Sequence, residues 1–464
     1  MARITVDFAE TLRKMKPLHG VNNGPWTNNF AFDARPLFKE AGIPTSRLHD
    51  TEYPYGSGEF VDVSCIFRNF NADENDPGNY SFAMTDLYIR AILECGTRVI
   101  YRLGCSIEHA PVKPHAHPPK DFAKWARICE HIIRHYNEGW ADGFHWDLRY
   151  WEIWNEPNVG GQKQWSGTVE QFAEFYTAAA THLKRCFPEL MIGGPAFTSP
   201  ENDYVHRFFT LITKDGAHPP MDFYSWHGYT STVEKAVLLA ERADGVLRKY
   251  GYEAAESIYD EWNYVKDWSD IHPAYRVISS AKGMAMNAAV MAAMQSTPVT
   301  AMCYYDAQMK FASSWDGLFK AGALNGVHGE GNLCAPKKGY FAFKAFNEVY
   351  RLGAKDEQAE IGRRQNPGIA DQVRLTAEGE GLYAVASRSA DGTRGAVLAA
   401  GFSDPEAEAR PQRIAFSFRQ MPGRKLSVYL ADETHDLEKI DERPCGDLEL
   451  ELPPFSVLLL LTEE

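Results

Sequence analysis

Residues 149–158 read RYWEIWNEPN. The run from Tyr150 to Trp154 is short, apolar and aromatic, which suits a strand buried on both faces. It closes on Asn155 and Glu156, and Pro157 then forces the chain out, because the proline ring has no N–H to give to a neighbouring strand. The same pattern recurs at LHGV (18–21), SRLHD (46–50), RVIYRLG (98–104), MIGGPAF (191–197), DFYSWHGY (222–229), SIYDEWNY (257–264) and AMCYYDAQ (301–308). Amphipathic stretches separate these runs. In one of them Thr168 caps a helix while Gln171 reaches back, and Phe172, Phe175, Tyr176, Ala179 and Leu183 share one face. Eight strands alternating with helices predict an α/β fold, a (β/α)₈ TIM barrel over residues 18–350.

After Arg351 the pattern changes to alternating strands with turns at Gly379–Gly381, Asp391–Gly392 and Pro422–Gly423. A C-terminal β-sandwich follows as the expectation. The opening RITVDF (3–8) alternates like a strand but precedes the barrel, so residues 1–17 and 351–464 are assigned together to the sandwich. Residues 51–80, rich in Gly, Asn and Asp, are too long for a simple connection and are read as a functional loop over the barrel mouth.

The bulk properties exclude several classes. A chain of 464 residues with 44% hydrophobic and 24% charged side chains is long enough to bury a large core and has the composition of a globular protein. No window of about 18 uncharged apolar residues appears, and MARITVDFAE lacks the apolar run of an export signal, so no membrane association and a cytoplasmic location are expected. Eight cysteines without a CxxC pair read as free thiols rather than as a disulfide framework or a zinc site. The formal charge of −14 disfavours nucleic acid. KPHAHPP (113–119) has ligand-like histidine spacing but reads as a solvated connector, so neither metal nor cofactor is expected.

Catalytic side chains in such barrels sit at the C-terminal strand ends. Here those positions hold Arg47, His49 and Asp50 on strand two, Asn155 and Glu156 on strand four, and His227 and Tyr229 on strand six. Strand seven supplies Asp260, Glu261 and Asn263, and strand eight Asp306. Cleavage of a glycosidic bond needs two carboxyl groups, one protonated to release the leaving oxygen and one ionised. Glu156 and Glu261 fit that requirement across the barrel mouth, with Trp151, Trp154 and Trp262 around them. A structural reading also exists for each: Glu156 as a buried carboxylate in a hydrogen-bond network, His227 as a core histidine bonded to a backbone carbonyl. Trp165, Trp262 and Trp315 are platforms for sugar rings or simple packing. Side chains alternate along a regular strand, so if Glu261 faces the mouth, Asp260 is expected to point outward to the helices.

The motifs WEIWNEPN, GGPAF, DFYSWHGY, the Glu-Trp-Asn of residues 261–263 and the opening HGVNNGP together resemble glycoside hydrolase family 39. The likeness spans nearly the whole chain. It implies a retaining, double-displacement hydrolysis of a carbohydrate substrate, with Glu156 as acid/base, Glu261 as nucleophile and Asn155 on the 2-hydroxyl. It also implies that Arg47 and His49 lie near the nucleophile and that His227 and Tyr229 contact the reacting sugar. Asp260-Glu261-Trp262-Asn263 departs from the Thr-Glu-Phe-Asn of the family's xylosidases, which bears on the sugar rather than on the mechanism. A β-xylosidase is the first expectation, an α-L-iduronidase or other glycosidase the second, and a sugar-binding protein without turnover the third.

Overall fold

The computed structural model describes residues 2–25, 33–51, 53, 58–107, 111, 113–162, 164–307, 315–321, 334–352 and 369–463. Eight parallel strands close a barrel in chain order: Gly20–Asn22, Thr45–Arg47, Arg98–Leu103, Tyr150–Ile153, Met191–Phe197, Phe223–Thr230, Glu256–Tyr264 and Val299–Tyr304. Each apolar run quoted above is one of them. The helix Val169–Cys186 begins with the Thr168/Gln171 capping box, and its apolar stripe is buried against the barrel.

Within the barrel the inward side chains form layers. The lowest is apolar and contains Ile100, Phe223, Ile258 and Cys303. One residue pair further along, strand four turns Glu152 inward and strand seven Asp260, so a charged layer replaces the apolar one. The next inward position carries the groups at the mouth.

The N-terminal strand Ala2–Lys14 does leave the barrel. It lies between Asp371–Glu378, which it pairs antiparallel, and Gln412–Arg419, which it pairs parallel. These belong to a nine-stranded sheet. The sheet is one continuous hydrogen-bonded ladder that curls over its own core, so a single folded-over sheet supplies both faces expected of a sandwich. Val6, Val397, Phe416, Leu448 and Leu460 meet in that core although their strands span the sheet. The other face, with Leu398, Ala400, Val457 and Leu459, packs into the barrel core cluster. Helix Ala281–Met294 runs along this junction and is buried on nearly every side, which explains why its sequence is apolar all round. Among the described residues no single helix is long and apolar enough to cross a membrane. Among the described residues none of the eight cysteines forms a disulfide.

Candidate active site

The decisive local feature is an irregularity in strand seven. Trp226 of strand six pairs with Tyr259, and His227 pairs with Glu261, so Asp260 has no partner in the ladder. A bulge of this kind breaks the alternation of side chains. The expectation that Asp260 points to the helices is therefore corrected: both carboxyls enter the barrel, Asp260 in the charged layer and Glu261 above it. The bulge also sends Trp262 outward. It is 1% exposed and packs edge-on against Tyr304, which itself meets Phe343 of the helix layer, so Trp262 is core and not a sugar platform. Trp165 is likewise sealed among Trp154, Phe172 and Phe175.

Arg47 organises the charged layer. Its Nε donates to Glu152 at 2.7 Å and lies 3.0 Å from Asp260. One terminal nitrogen donates to Asn22 at 3.1 Å and to Glu261 at 3.4 Å, and the other to Asn155 Oδ1. Burial drives the Asp260 carboxyl far above the usual carboxylate range, and adjacent Glu152 adds to that shift. Burial, the largest influence, would raise Glu152 too, but Arg47 together with hydrogen bonds from Asp260 and Ser225 outweighs it and holds Glu152 low. The pair thus settles as ionised Glu152 and protonated Asp260, whose proton bridges the two carboxyls. Sequence reasoning missed Glu152, which lies inside WEIWNEPN, because it does not close a strand.

Above this layer His227 joins the two mouth carboxylates. Its Nδ1 is 2.8 Å from Glu156 Oε1 and 3.3 Å from Glu261 Oε2. Burial lowers the imidazole to about 4, so it is neutral at pH 7 and carries a single proton to share. The core-histidine alternative fails on these contacts. Tyr229 donates its hydroxyl to Glu261 Oε1. Burial, with Glu156 next among the raising influences, lifts Glu261 to about 6, while His227, Arg47 and Tyr229 pull against it. Asn155 is fully buried, fixed by Arg47 and by Gln164, whose oxygen accepts from Asn155 Nδ2 at 2.8 Å. His49 is buried with its Nε2 3.4 Å from Asp50, and burial keeps its imidazole well below the ordinary histidine range.

Backbone strain concentrates here. Asn23, Asp50, Trp154 and Glu156 all have positive φ, at 69°, 50°, 75° and 42°. L-residues adopt this region at a cost, and such residues cluster where a site over-determines them. The rim is aromatic. Trp315 meets Tyr229, Tyr305, Tyr275 and Trp268 at ring-centre distances of 5.4, 5.8, 5.4 and 6.0 Å. Trp268 is 60% exposed, a large apolar surface left open beside the carboxylates. Of the three tryptophans read as platforms, only Trp315 is at the mouth; Trp268 and Tyr305 were not legible as its companions. The described part of the loop after Thr51 is tied in by Asp62, which accepts from Arg102 at 2.6 Å and from Ser106 N at 2.8 Å. Asp306 accepts from Asn23 at 3.1 Å.

Two groups of side chains bring three metal-capable atoms within 4.8 Å of one another among the described residues: Glu156, His227 and Glu261, and Glu130, His182 and Cys186. In the first, the Arg47 guanidinium already supplies the positive charge a cation would bring. The second joins two outer helices of the barrel, remote from the mouth.

The sequence profile of glycosyl hydrolases family 39 matches residues 3–306, from the N-terminal strand to the end of the barrel. The chain belongs to this family. A family 39 reading is matched by curated relatives. A β-xylosidase of Caldicellulosiruptor saccharolyticus is 29% identical over 229 residues, 45% of this chain and 44% of that protein, so the match spans less than half of that relative's length. A β-xylosidase of Geobacillus stearothermophilus is 24% identical over 71% of this chain and 69% of its own. Among solved structures, a glucosidase from Croceicoccus marinus superposes with a TM-score of 0.77 at 21% identity, covering 100% of this chain and 99% of the other. That superposition shares the fold, barrel and curled sheet together.

Proposed function

We propose that this chain is a retaining β-glycosidase with Glu261 as nucleophile and Glu156 as acid/base, and that it acts on β-xylosides. The observation that carries the reading is the spacing of the two carboxyls. Their facing oxygens, with His227 between them, lie within 4.8 Å. Retaining enzymes hold the pair about 5–5.5 Å apart, whereas inverting enzymes need about 6.5–9.5 Å to admit a water.

The chemistry follows from the surroundings. Glu261 attacks the anomeric carbon as the bond to the leaving oxygen breaks, and Glu156 gives that oxygen its proton. Glu156 then takes a proton from the water that attacks the anomeric carbon and frees Glu261. Neutral His227 holds both carboxyls at one distance without neutralising either. Tyr229 and Arg47 occupy lone pairs of Glu261 and so fix which one points at the sugar. Asn155 takes the 2-hydroxyl with the amide proton that Gln164 leaves over. For the sugar, the two relatives named as β-xylosidases support the choice. A uronic acid is disfavoured because Arg47 is already shared among three carboxyls and His49 is neutral.

The test is proton NMR of the first product formed from 4-nitrophenyl β-D-xyloside. Retention gives β-xylose before mutarotation. First appearance of α-xylose would overturn the mechanism, and binding without release of nitrophenol would favour a sugar-binding protein.

A further inference from the structure

The outer helices Phe122–Glu138 and Val169–Cys186 pack side by side, and their interface changes character along its length. At the start of the first helix it is made of rings: Phe122 and Trp125 meet Phe175 edge-on at 5.4 and 4.7 Å. About two turns further on, the rings give way to Glu130, His182 and Cys186. His182 and Cys186, four positions apart, share a helix face, and Glu130 reaches them from the neighbouring helix. One donor atom from each lies within 4.8 Å of the others. Glu130 Oε2 is 2.7 Å from His182 Nε2, and Cys186 Sγ is 3.8 Å from the same nitrogen. Glu130 and His182 each keep 17% exposure, so an ion can reach them from solvent. Arg134 holds the other carboxylate oxygen of Glu130 at 2.8–2.9 Å, and is itself paired with Glu138 and laid over the Phe187 ring. Glu130 is thus aimed, with Oε2 turned to the cluster. Exposed Arg185 donates to His182 Nδ1 at 3.1 Å, so in the neutral ring the imidazole proton sits on Nε2 and bridges to Glu130.

We infer that Glu130, His182 and Cys186 form a binding site for one divalent ion of the zinc class, which fastens the two helices together. The donor set is the first reason. An imidazole, a thiolate and a carboxylate in one cluster suit Zn²⁺ or Co²⁺, whereas Mg²⁺ and Ca²⁺ take oxygen ligands. The geometry agrees. Tetrahedral bonds of about 2.1 Å to nitrogen and oxygen and about 2.3 Å to sulfur set the ligand atoms about 3.3–3.6 Å apart. The sulfur–nitrogen separation is already close to that, and the carboxylate has to open from the imidazole by only about 0.6 Å. The ion takes the place of the bridging proton. The imidazole proton moves to Nδ1, the exposed Arg185 side chain swings away, and the Cys186 thiol gives its proton to solvent. Two anionic ligands balance the ion, while Glu138 offsets Arg134. Three protein ligands leave the fourth position to water. No CxxC pair marks the site, because Glu130 stands 52 positions from His182. Neither helix carries a residue of the mouth, so the inference is independent of the glycosidase reading.

The test uses the untagged wild-type chain, stripped with a chelator, and the variants Cys186→Ser, His182→Ala and, as a control, Cys445→Ser in the C-terminal sheet. Circular dichroism establishes that each is folded. Cobalt chloride is the spectroscopic probe and zinc chloride the competitor. Wild type should show a near-ultraviolet thiolate-to-cobalt charge-transfer band that saturates at one ion per chain and disappears on addition of one equivalent of zinc. Cys445→Ser should keep the band and Cys186→Ser should lose it. In calorimetry Cys186→Ser and His182→Ala should each weaken zinc binding by at least about 100-fold, the upper end of what even a lost outer partner of a ligand costs. Zinc at about 100 times its Kd should raise the wild-type melting temperature by about 3 °C and leave Cys186→Ser at the same concentration unmoved. A wild type that shows no thiolate band overturns the inference. So does a zinc affinity unchanged in both Cys186→Ser and His182→Ala, which would put the ion elsewhere, such as between Glu156, His227 and Glu261.

Discussion

Replacing Glu261 by Gln should abolish turnover and, above pH 6, make the protein more stable. The nucleophile is ionised inside the barrel at a cost. Its carboxyl rises from an ordinary 4.5 to about 6, burial being the largest cause. A shift of 1.5 units corresponds to about 2 kcal/mol. The sign runs as for any acid whose folded value is raised. Below pH 4.5 the group is protonated in both states and the stability is fully present. As pH rises through 4.5 and then 6 the unfolded chain ionises first, and about 2 kcal/mol is lost. Glutamine keeps the shape and the acceptor but cannot ionise, so Glu261→Gln escapes the loss. For a chain of 464 residues the unfolding entropy near the midpoint is about 1 kcal/mol per degree, so the gain corresponds to about 2 °C. Differential scanning calorimetry at pH 4 and pH 7.5 reads it directly. The variant should match wild type at pH 4 and melt about 2 °C higher at pH 7.5. An equal offset at both pH values, or a variant less stable at pH 7.5, would refute the argument that burial of an ionised Glu261 is what the fold sustains.

Other outcomes follow from the same geometry. Glu156→Ala should lose about 10³-fold on alkyl xylosides, whose leaving oxygen needs the proton, yet far less on dinitrophenyl xyloside; equal losses on both would remove Glu156 from the acid role. Because Glu261 must be ionised to attack, kcat/KM should fall about tenfold per pH unit below about 6, and a pH profile flat down to 4.5 would contradict that. Asp260→Asn replaces a carboxyl already protonated, so melting temperature should move by no more than about 1 °C and kcat/KM by less than about tenfold; a loss like that of Glu261→Gln would mean the two adjacent carboxyls have been exchanged. Trp315→Ala should raise KM about tenfold through loss of a stacking face while kcat holds, and an unchanged KM would place the sugar elsewhere.

What the chain reveals before folding depends on whether a feature is local. Each barrel strand is a self-contained apolar run with a turn or proline after it, so all eight were legible, and the Thr168 cap was legible because its partner lies three residues away. Glu156 and Glu261 were readable for the same reason: each closes its own run. The bulge at Asp260 was not, since it is a mismatch between the residue counts of strands six and seven and leaves no mark in either. With it went the direction of Asp260 and the outward turn of Trp262. Asp50 stood in plain view at the end of SRLHD, but its partner Tyr305 is 255 positions away. Trp268 closes no strand and carries no sequence signal of its own; only the fold brings it beside Trp315. The continuity of the curled sheet was likewise hidden, because alternation marks a strand without saying which strand lies beside it.

The central claim, that Glu261 attacks the sugar from just above a charged barrel layer, is tested most directly by trapping. Incubation with 2,4-dinitrophenyl 2-deoxy-2-fluoro-β-D-xyloside, followed by peptide mass spectrometry, should find one fluoroxylosyl group per chain, esterified to Glu261. The adduct should release slowly and return activity as it does so. An adduct on Asp260, or steady release of dinitrophenol with no covalent species formed, would contradict the account.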